Sequence, residues 1–162
     1  MIKEIYIAGG CFWGVEAYFK EIKGVLDTEV GYANGRTEET NYQKVALTDH
    51  AETVHLKYDD AILSLENILE YFYYIIDPFS VNKQGNDKGR QYRTGIYSKD
   101  NNDLEKTREF LKMKQDKESK KIKVEVEELK NFIKAEKNHQ DYLDKNPDGY
   151  CHISLIDRPE FY

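Results

Sequence analysis

The sequence predicts an α+β protein, a two-layer α/β sandwich in which helices pack on a sheet. Short runs alternate between apolar and polar side chains, as half-buried strands do, and Val54 and Leu56 lie in one such run. Between these runs, apolar residues recur at helical spacing. Strands and helices that alternate along a chain of 162 residues fit one layered domain, so we assign no internal boundary.

The first half of the chain predicts three strands and two helices. In order they are a strand at 2–8, a helix at 12–22, strands at 25–33 and 53–58, and a helix at 65–76. Gly9-Gly10 and Asn34-Gly35 end the first two strands as turn signals. Ser64 can cap the second helix, and Asp77-Pro78 ends it, because proline disfavours helical geometry in the residue before it.

The second half is less regular. It predicts a long loop at 79–94, a strand at 95–98, a helix that begins with a capping box of Asn102 and Glu105, a strand at 122–126, and a short helix after His139. The stretch at 146–149 then breaks regular structure before Cys151. We therefore expect 144–162 to be a loosely structured, irregular C-terminal tail.

Composition and charge exclude several classes of protein. The chain carries 24 Lys and Arg against 30 Asp and Glu, a net charge of −6, which argues against non-specific nucleic-acid binding. The longest strongly apolar stretch, 71–76, is far shorter than the ~20 residues of a membrane helix. No signal-peptide layout precedes the 2 cysteines, so we expect a cytoplasmic protein whose thiols stay reduced and react.

Cys11 is the first candidate for chemistry. It follows Gly9-Gly10 at the junction of a predicted strand and a predicted helix, where free amides and the helix dipole favour a thiolate. Phe12 and Trp13 beside it offer flat apolar walls for a small apolar group. The residues alone leave open the alternative that Cys11 is a small buried hydrophobe.

The run from Gly9 to Gly14 resembles the signature of the peptide methionine sulfoxide reductase A family. Further blocks resemble that family in its order, at 31–35, 41–42, 50–52, 84–87, 91–93, 139–143 and 145–151. Together they extend from Ala8 to Cys151. The resemblance implies a ferredoxin-like mixed sheet with helices packed on it, and a single catalytic domain over 1–162.

The resemblance also implies a reaction. Cys11 as thiolate attacks the sulfur of methionine sulfoxide, methionine departs, and the oxygen stays on Cys11 as a sulfenic acid. Glu52 supplies the proton that the oxygen needs. A carboxyl group donates near neutral pH only when burial raises its pKa, so we expect Glu52 to be buried.

Five further residues match family positions around the substrate. Tyr42 and Tyr92 are expected to donate hydrogen bonds to the sulfoxide oxygen. Phe12 and Trp13 are expected to hold the methyl group, and Asp87 to belong to the polar network nearby. Taken alone, the aromatic residues would be assigned to packing, and Asp87 to a turn.

Cys151 matches the cysteine with which the family attacks the sulfenic acid. The resemblance implies a Cys11–Cys151 disulfide that thioredoxin then reduces, with the tail at 144–162 carrying the second cysteine. The implied enzyme is a monomer without cofactor that reduces the S epimer of methionine sulfoxide, free or within proteins. Cys151 could also be a bystander thiol.

Two other functions remain as alternatives. A cysteine hydrolase would use Cys11 with His50 or His139 as base, and a peptide-binding module would use the aromatic residues as a cage. Neither gives Cys151 a role. The chain has no paired C-x-x-C and its 4 histidines are scattered, so we expect no metal site.

Three departures from the family pattern stand out. Asn41 replaces a common proline before Tyr42, and Asp49 replaces the usual glycine before His50. We expect the first to loosen the approach to Tyr42, and the second to alter the turn and the charge near Glu52. The extra cysteine that some members carry is missing, so the simplest relay is a single disulfide.

Overall fold

A computed structural model describes residues 1–156 and 159 of the chain. In this part the strands are β1 (Ile2–Gly9), β2 (Val25–Ala33), β3 (Ala51–Asp59), β4 (Lys83–Gln84), β5 (Asp87–Lys88), β6 (Thr94–Ser98), β7 (Glu125–Glu128) and β8 (Phe132–Lys134). The helices are α1 (Phe12–Lys20), α2 (Val45–Thr48), α3 (Leu65–Ile75), α4 (Asn101–Gln115) and α5 (Tyr142–Lys145). Short 3₁₀ turns cover Arg90–Tyr92 and Lys137–His139.

Six strands form one mixed sheet in the order β7-β6-β1-β3-β2-β8, and β4 and β5 form a separate hairpin. Every pair in the large sheet is antiparallel except β6–β7. The centre of the sheet, β6-β1-β3-β2, is reached by a β-α-β-β-α-β succession, which is the ferredoxin-like arrangement. The predicted fold class is therefore confirmed.

The helices α1, α3 and α4 pack on one face of the sheet. Because side chains alternate along a strand, Ile5 and Ile7 of β1 enter this core, whereas Tyr6 and Ala8 lie on the other face. The second face is smaller, and Phe132 and Leu129 cover part of it. None of the helices in the described part is both long and apolar enough to cross a bilayer.

Helix starts follow from local hydrogen bonds. The Ser64 hydroxyl accepts from the Asn67 amide at 3.1 Å and caps α3, as predicted. The predicted capping box at Asn102 is wrong, because α4 begins at Asn101 and its cap is Asp100. The Asp100 carboxylate accepts from the amide of Asn102 at 2.8 Å, which places Asn102 inside the helix.

The predicted strand at 122–126 is only partly correct, since β7 covers Glu125–Glu128. The preceding backbone turns away from the sheet, and the amide of Lys123 donates to the carbonyl of Pro78 at 2.7 Å. The elements α2, β8 and the β4–β5 hairpin were not predicted. Each has only two to four residues, too few for a period to show.

The predicted tail at 144–162 begins at the end of α5. Residues 146–156 contain no helix or strand, yet Ile153 is buried in the main core. Cys151 and Trp13 pack against the same core. The part of the predicted tail at 157–158 and 160–162 lies outside the described residues.

Candidate active site

Cys11 lies at the junction where β1 ends and α1 begins, as its N-cap residue. The thiol is 6% exposed. Gly10 makes the turn possible, because its φ of +91° is a conformation that other residues rarely adopt. A Cβ there would also lie 2.7 Å from the Cβ of Gln84, so this part of the chain lies tightly under the 79–94 loop.

Opposing influences act on the Cys11 thiol. Burial raises its pKa most strongly, and the Glu52 and Asp87 carboxyl groups raise it further. Hydrogen bonds from the backbone at Trp13 and Gly14 lower the same pKa, as expected at a helix N-terminus. The effect of burial is the larger, so the pKa of the Cys11 thiol in the free protein lies above its ordinary value.

Glu52 lies behind the start of α1, on β3 opposite Tyr32 of β2. It is 1% exposed, so its predicted burial is confirmed. One carboxyl oxygen accepts from the amide of Phe12 at 3.2 Å. Burial raises the pKa of Glu52 to about 8, despite the opposing effect of the Phe12 amide, and the negative charge of Asp87 adds to the rise. Glu52 therefore carries a proton near neutral pH.

Tyr42 and Tyr92 come to the same place from separate loops. Tyr42 precedes α2, and Tyr92 ends a 3₁₀ turn just before β6. Burial raises the pKa of Tyr42 to about 12 and raises that of Tyr92 as well, and in both cases the next cause is Glu52. Both phenols are thus protonated at neutral pH and available as hydrogen-bond donors near Glu52.

Asp87 adds a second carboxyl group to this cluster. It lies on β5 in the β4–β5 hairpin, and its Oδ2 atom is buried without a hydrogen-bond partner among the described residues. Burial raises the pKa of Asp87, whereas His152 and a hydrogen bond with Tyr150 lower it. Its negative charge raises the pKa of both Cys11 and Glu52, so Asp87 lies within electrostatic reach of the two groups.

Aromatic rings form one wall beside Cys11. Trp13 stacks on Tyr142, with ring centroids 3.8 Å apart and planes 9° from parallel. The ring of Tyr42 stacks on His139 at 4.4 Å, and Phe12 lies 5.6 Å from the same histidine. Phe12 is fully buried and belongs to the core, whereas Trp13 is partly exposed. Trp13 is thus the ring of this pair that solvent can reach.

Sequence reasoning missed two residues that hold this wall in place. His139 Nδ1 accepts from the indole nitrogen of Trp13 at 3.1 Å, which orients the ring. Glu136 accepts from the Tyr32 hydroxyl at 2.7 Å and from the amide of Tyr42 at 3.1 Å. The sequence offered His139 only as the base of a hydrolase, not as a partner of Trp13, and no sequence signal marked Glu136.

Cys151 reaches α1 from the tail, and both cysteines are free. Its thiol donates to the carbonyl of Ile153 at 3.1 Å. A Cβ on Gly14 would lie 3.0 Å from the Cys151 sulfur, while the backbone at Gly14 also hydrogen-bonds Cys11. Both sulfurs therefore lie close to Gly14, although 140 positions separate the two cysteines in the sequence.

The arrangement gives no support to a cysteine hydrolase. His50 is buried, and its Nδ1 pairs with the Thr48 hydroxyl at 2.8 Å. His139 uses its Nδ1 lone pair on Trp13. The strongest influences on the pKa of Cys11 include neither histidine. Among the described residues, no group of three or more His, Cys, Asp or Glu side chains could hold a metal ion.

The first two departures from the family pattern have clear structural roles. Asp49 has a φ of 64°, the left-handed conformation in which glycine is most at ease, and its carboxylate accepts two hydrogen bonds from Arg90 at 2.8 and 3.0 Å. These bonds lower the pKa of Asp49 and join the loop before β3 to the turn that carries Tyr92. The Asn41 side chain accepts from the amide of Lys44 at 2.9 Å, so it stabilises the turn after Tyr42.

Comparisons with known proteins agree with this geometry. A family model described as peptide methionine sulfoxide reductase matches residues 3–161. The match covers nearly the whole chain, including every residue of the site described above.

Solved structures are similar over a comparable length. Mxr1 from Saccharomyces cerevisiae in reduced form is 38% identical over 96% of this chain and 93% of that chain, with a TM-score of 0.88. Methionine sulfoxide reductase A of Corynebacterium diphtheriae is 34% identical over 93% of this chain and 77% of that chain, with a TM-score of 0.87. Mxr1 from Saccharomyces cerevisiae in complex with Trx2 is 26% identical over 87% and 84%, with a TM-score of 0.63.

Proposed function

This chain belongs to the peptide methionine sulfoxide reductase family, and we propose on that premise that Cys11 and Glu52 together reduce methionine sulfoxide to methionine. One observation carries the proposal. A buried carboxyl group with a pKa of about 8 hydrogen-bonds the amide of Phe12, the residue next to the cysteine. The site therefore holds a nucleophile and a neutral acid side by side.

The first step moves an oxygen atom from the substrate to Cys11. Glu52 gives its proton to the sulfoxide oxygen, which weakens the S–O bond of the substrate that has to break as the oxygen passes to Cys11. As the Cys11 sulfur attacks, its own proton passes to Glu52. Methionine leaves and Cys11 becomes a sulfenic acid, so the substrate sulfur is reduced and the cysteine sulfur is oxidised. Because the pKa of Cys11 and of Glu52 is raised, each group carries the proton that it passes on in this step.

The substrate is held by residues around that pair. The Tyr42 and Tyr92 hydroxyls donate to the sulfoxide oxygen, where negative charge grows before the proton arrives. Phe12 and Trp13 enclose the methyl group, and Asp87 completes the polar side of the site. Glu52 raises the pKa of both tyrosines, which indicates that their hydroxyls lie near the acid, and this proximity supports the assignment.

The second step regenerates the cysteine. Cys151 attacks the sulfenic acid on Cys11, water leaves, and a disulfide forms. The tail at 144–162 carries Cys151 within a single catalytic domain over 1–162. Thioredoxin then reduces the disulfide, as the yeast relative in complex with Trx2 supports. A monomer suffices, since one chain supplies the whole site, and the free cysteines support a cytoplasmic location.

A single-turnover experiment tests this sequence of steps. Given methionine sulfoxide without reductant, each protein chain is expected to yield about one methionine and to lose two hydrogens in mass. Cys151→Ser is expected to yield the same methionine but to stop with a sulfenic acid on Cys11 that dimedone traps. Methionine formed by Cys11→Ser at the wild-type rate would contradict the mechanism.

The stereochemistry needs a separate measurement. We propose that the S epimer is the substrate, both free and within proteins. NADPH consumption coupled through thioredoxin reductase and thioredoxin, with each epimer supplied alone, is expected only with the S epimer. Equal turnover of both epimers would overturn this assignment.

A further inference from the structure

His152 follows the second cysteine and has no part in the steps above. Its ring lies over the junction of β1 and α1, with Nε2 3.1 Å from the carbonyl of Gly9. A carbonyl only accepts hydrogen bonds, so Nε2 carries the proton. In a neutral imidazole the other nitrogen, Nδ1, then has a free lone pair.

That lone pair has no partner. Nδ1 of His152 is buried, and no hydrogen-bond donor among the described residues reaches it. A buried acceptor that is left unpaired loses its hydrogen bonds to water without gaining one in the protein. Most buried polar groups avoid this cost, so an exception calls for an explanation.

The unpaired nitrogen lies close to Gly14 on α1, as the Cys151 sulfur does. A Cβ built on Gly14 would be 3.0 Å from the Cys151 sulfur and 3.6 Å from His152 Nδ1. The sulfur and the nitrogen therefore face the same point beside the first turn of α1. The backbone at Gly14 also hydrogen-bonds Cys11, so Gly14 is a common neighbour of both cysteines and of the lone pair.

We propose that His152 is the proton acceptor for Cys151 when the disulfide forms. The inference rests on the proposed function, in which Cys151 attacks the sulfenic acid. In the step, Nδ1 takes the thiol proton as the Cys151 sulfur bonds to the Cys11 sulfur. The Cys11 S–O bond breaks, and the hydroxide leaves as water with the proton that His152 returns. Both sulfurs end in the disulfide, and no external oxidant is needed.

The surroundings of Cys151 explain why such an acceptor is useful. Burial raises the pKa of the Cys151 thiol, and the thiol proton is donated to the carbonyl of Ile153. A thiol in that state is a weak nucleophile at neutral pH, because the thiolate is the attacking species. A base that takes the thiol proton during the attack lowers this barrier without a general rise in pH.

The groups around His152 suit a base that becomes charged only briefly. Burial lowers its pKa, so it is neutral and ready to accept a proton. Of the titratable groups that face it, Asp87 comes from the β4–β5 hairpin, while Tyr150 and Cys151 come from the tail. The negative charge of Asp87 favours the imidazolium that forms during the step, much as an aspartate supports the histidine of a catalytic triad.

The test is His152→Gln in the full chain. Glutamine can still donate an N–H to the carbonyl of Gly9 but has no nitrogen that accepts a proton. In a single turnover we expect the methionine burst at the wild-type rate. Conversion of the Cys11 sulfenic acid to the disulfide, followed by dimedone trapping and mass, is expected to slow about 100-fold near pH 7. The defect should shrink as pH rises, because Cys151 then ionises without help.

His55→Gln serves as the matched control, since His55 lies on β3 and its Nε2 pairs with Glu4. We expect it to behave as the wild type in both steps. Imidazole added to His152→Ala is expected to restore part of the disulfide rate. Two results would overturn the inference: a disulfide rate in His152→Gln equal to that of the wild type at every pH, or a slowing that does not change with pH. A wild-type protein that yields methionine but no Cys11–Cys151 disulfide would instead remove the proposed role of Cys151.

Discussion

The two cysteines lie in regions of opposite character. Cys11 lies where a central strand meets a helix, and Glu52 comes from the next strand of the same sheet. Cys151 lies in a segment without helix or strand. Two hydrogen bonds help to hold this segment in place, one from the Cys151 thiol to the carbonyl of Ile153 and one from the His152 ring to the carbonyl of Gly9. Oxygen transfer requires groups fixed to within a fraction of an ångström, whereas disulfide formation requires one sulfur to travel. The fold places each sulfur in the kind of structure that its step needs.

The same contrast appears in how the surrounding loops are secured. Around Cys11, Glu136 and His139 hold Tyr42 and Trp13 by hydrogen bonds and ring stacking. Around Cys151, among the residues that the structure describes, Ile153 is the side chain of the tail that is buried in the main core, and Cys151 packs against that core. Local opening is therefore expected to release the tail before it disturbs the site.

Among substitutions near Cys11, we expect Glu52→Gln to have the largest effect. We expect the rate of methionine formation to fall about 1000-fold at pH 6–7, because the substituted residue has no proton to give. In the wild type the rate should decline as pH rises through about 8, where Glu52 ionises, so the gap between the two proteins narrows there. Single-turnover rates from pH 5 to 9 measure this. A constant gap over that range would remove Glu52 from the role of acid.

Glu52→Gln is also expected to change how the free energy of unfolding depends on pH. Because folding raises the pKa of Glu52, the contribution of its neutral form is complete below the unfolded pKa and is lost as pH rises through about 8. The free energy of unfolding of the wild type should then fall, relative to Glu52→Gln, by up to ~1.4 kcal/mol per pH unit within that window. Urea unfolding at pH 5, 7 and 8.5 gives the comparison.

Two isoleucines compare the sheet with the tail directly. Ile7 on β1 is fully buried, and Ile153 in the tail is 8% exposed. We expect Ile7→Ala to cost about 3–4 kcal/mol of unfolding free energy, as in well-packed cores. Ile153→Ala should cost about 1 kcal/mol, because a tail that opens locally does not unfold the sheet. Equal losses in urea unfolding would show that the tail belongs to the same cooperative unit as the sheet.

Substitution of Tyr42 and Tyr92, singly and together, tests whether the two hydroxyls stabilise the sulfoxide oxygen jointly or independently. Tyr42→Phe and Tyr92→Phe are each expected to lower kcat about 10-fold, since one hydroxyl still donates to the oxygen. The double variant should lose about 1000-fold, more than the two single effects combined. A double effect that only multiplies the single ones would mean that the hydroxyls act independently.

Asp49→Asn is the smallest expected effect. Arg90 is about half exposed, so its ion pair with Asp49 is screened by solvent, and we expect a loss of at most ~0.5 kcal/mol of unfolding free energy. Activity should stay within about twofold, with any loss disappearing at high salt. A tenfold drop in kcat would show that this surface pair, rather than packing, positions the turn with Tyr92.

Much of the fold was predictable because long elements carry a period. The strands β1, β2 and β3 and the helices α1 and α3 follow apolar patterns of many residues. The prediction was wrong at the start of α4, because Asp100 rather than Asn102 caps the helix. The predicted strand began too early, before Glu125, because the amide of Lys123 donates to the carbonyl of Pro78 in the loop after α3 instead of to a neighbouring strand. The apolar pattern of a segment does not show which residue caps a helix or which distant carbonyl accepts a hydrogen bond from its backbone.

The sequence by itself determined which residues could react, and it placed Cys11 between the first strand and the first helix, since a cysteine after two glycines and seven ordered blocks are local signals. Only the tertiary structure decided their protonation. Burial raises the pKa of Cys11 against the pull of its helix, and it makes Glu52 an acid. The tertiary structure also brought Cys151 and His152 beside Gly14. A pKa and an unpaired lone pair depend on everything packed around an atom, and that environment comes from residues far away in the chain.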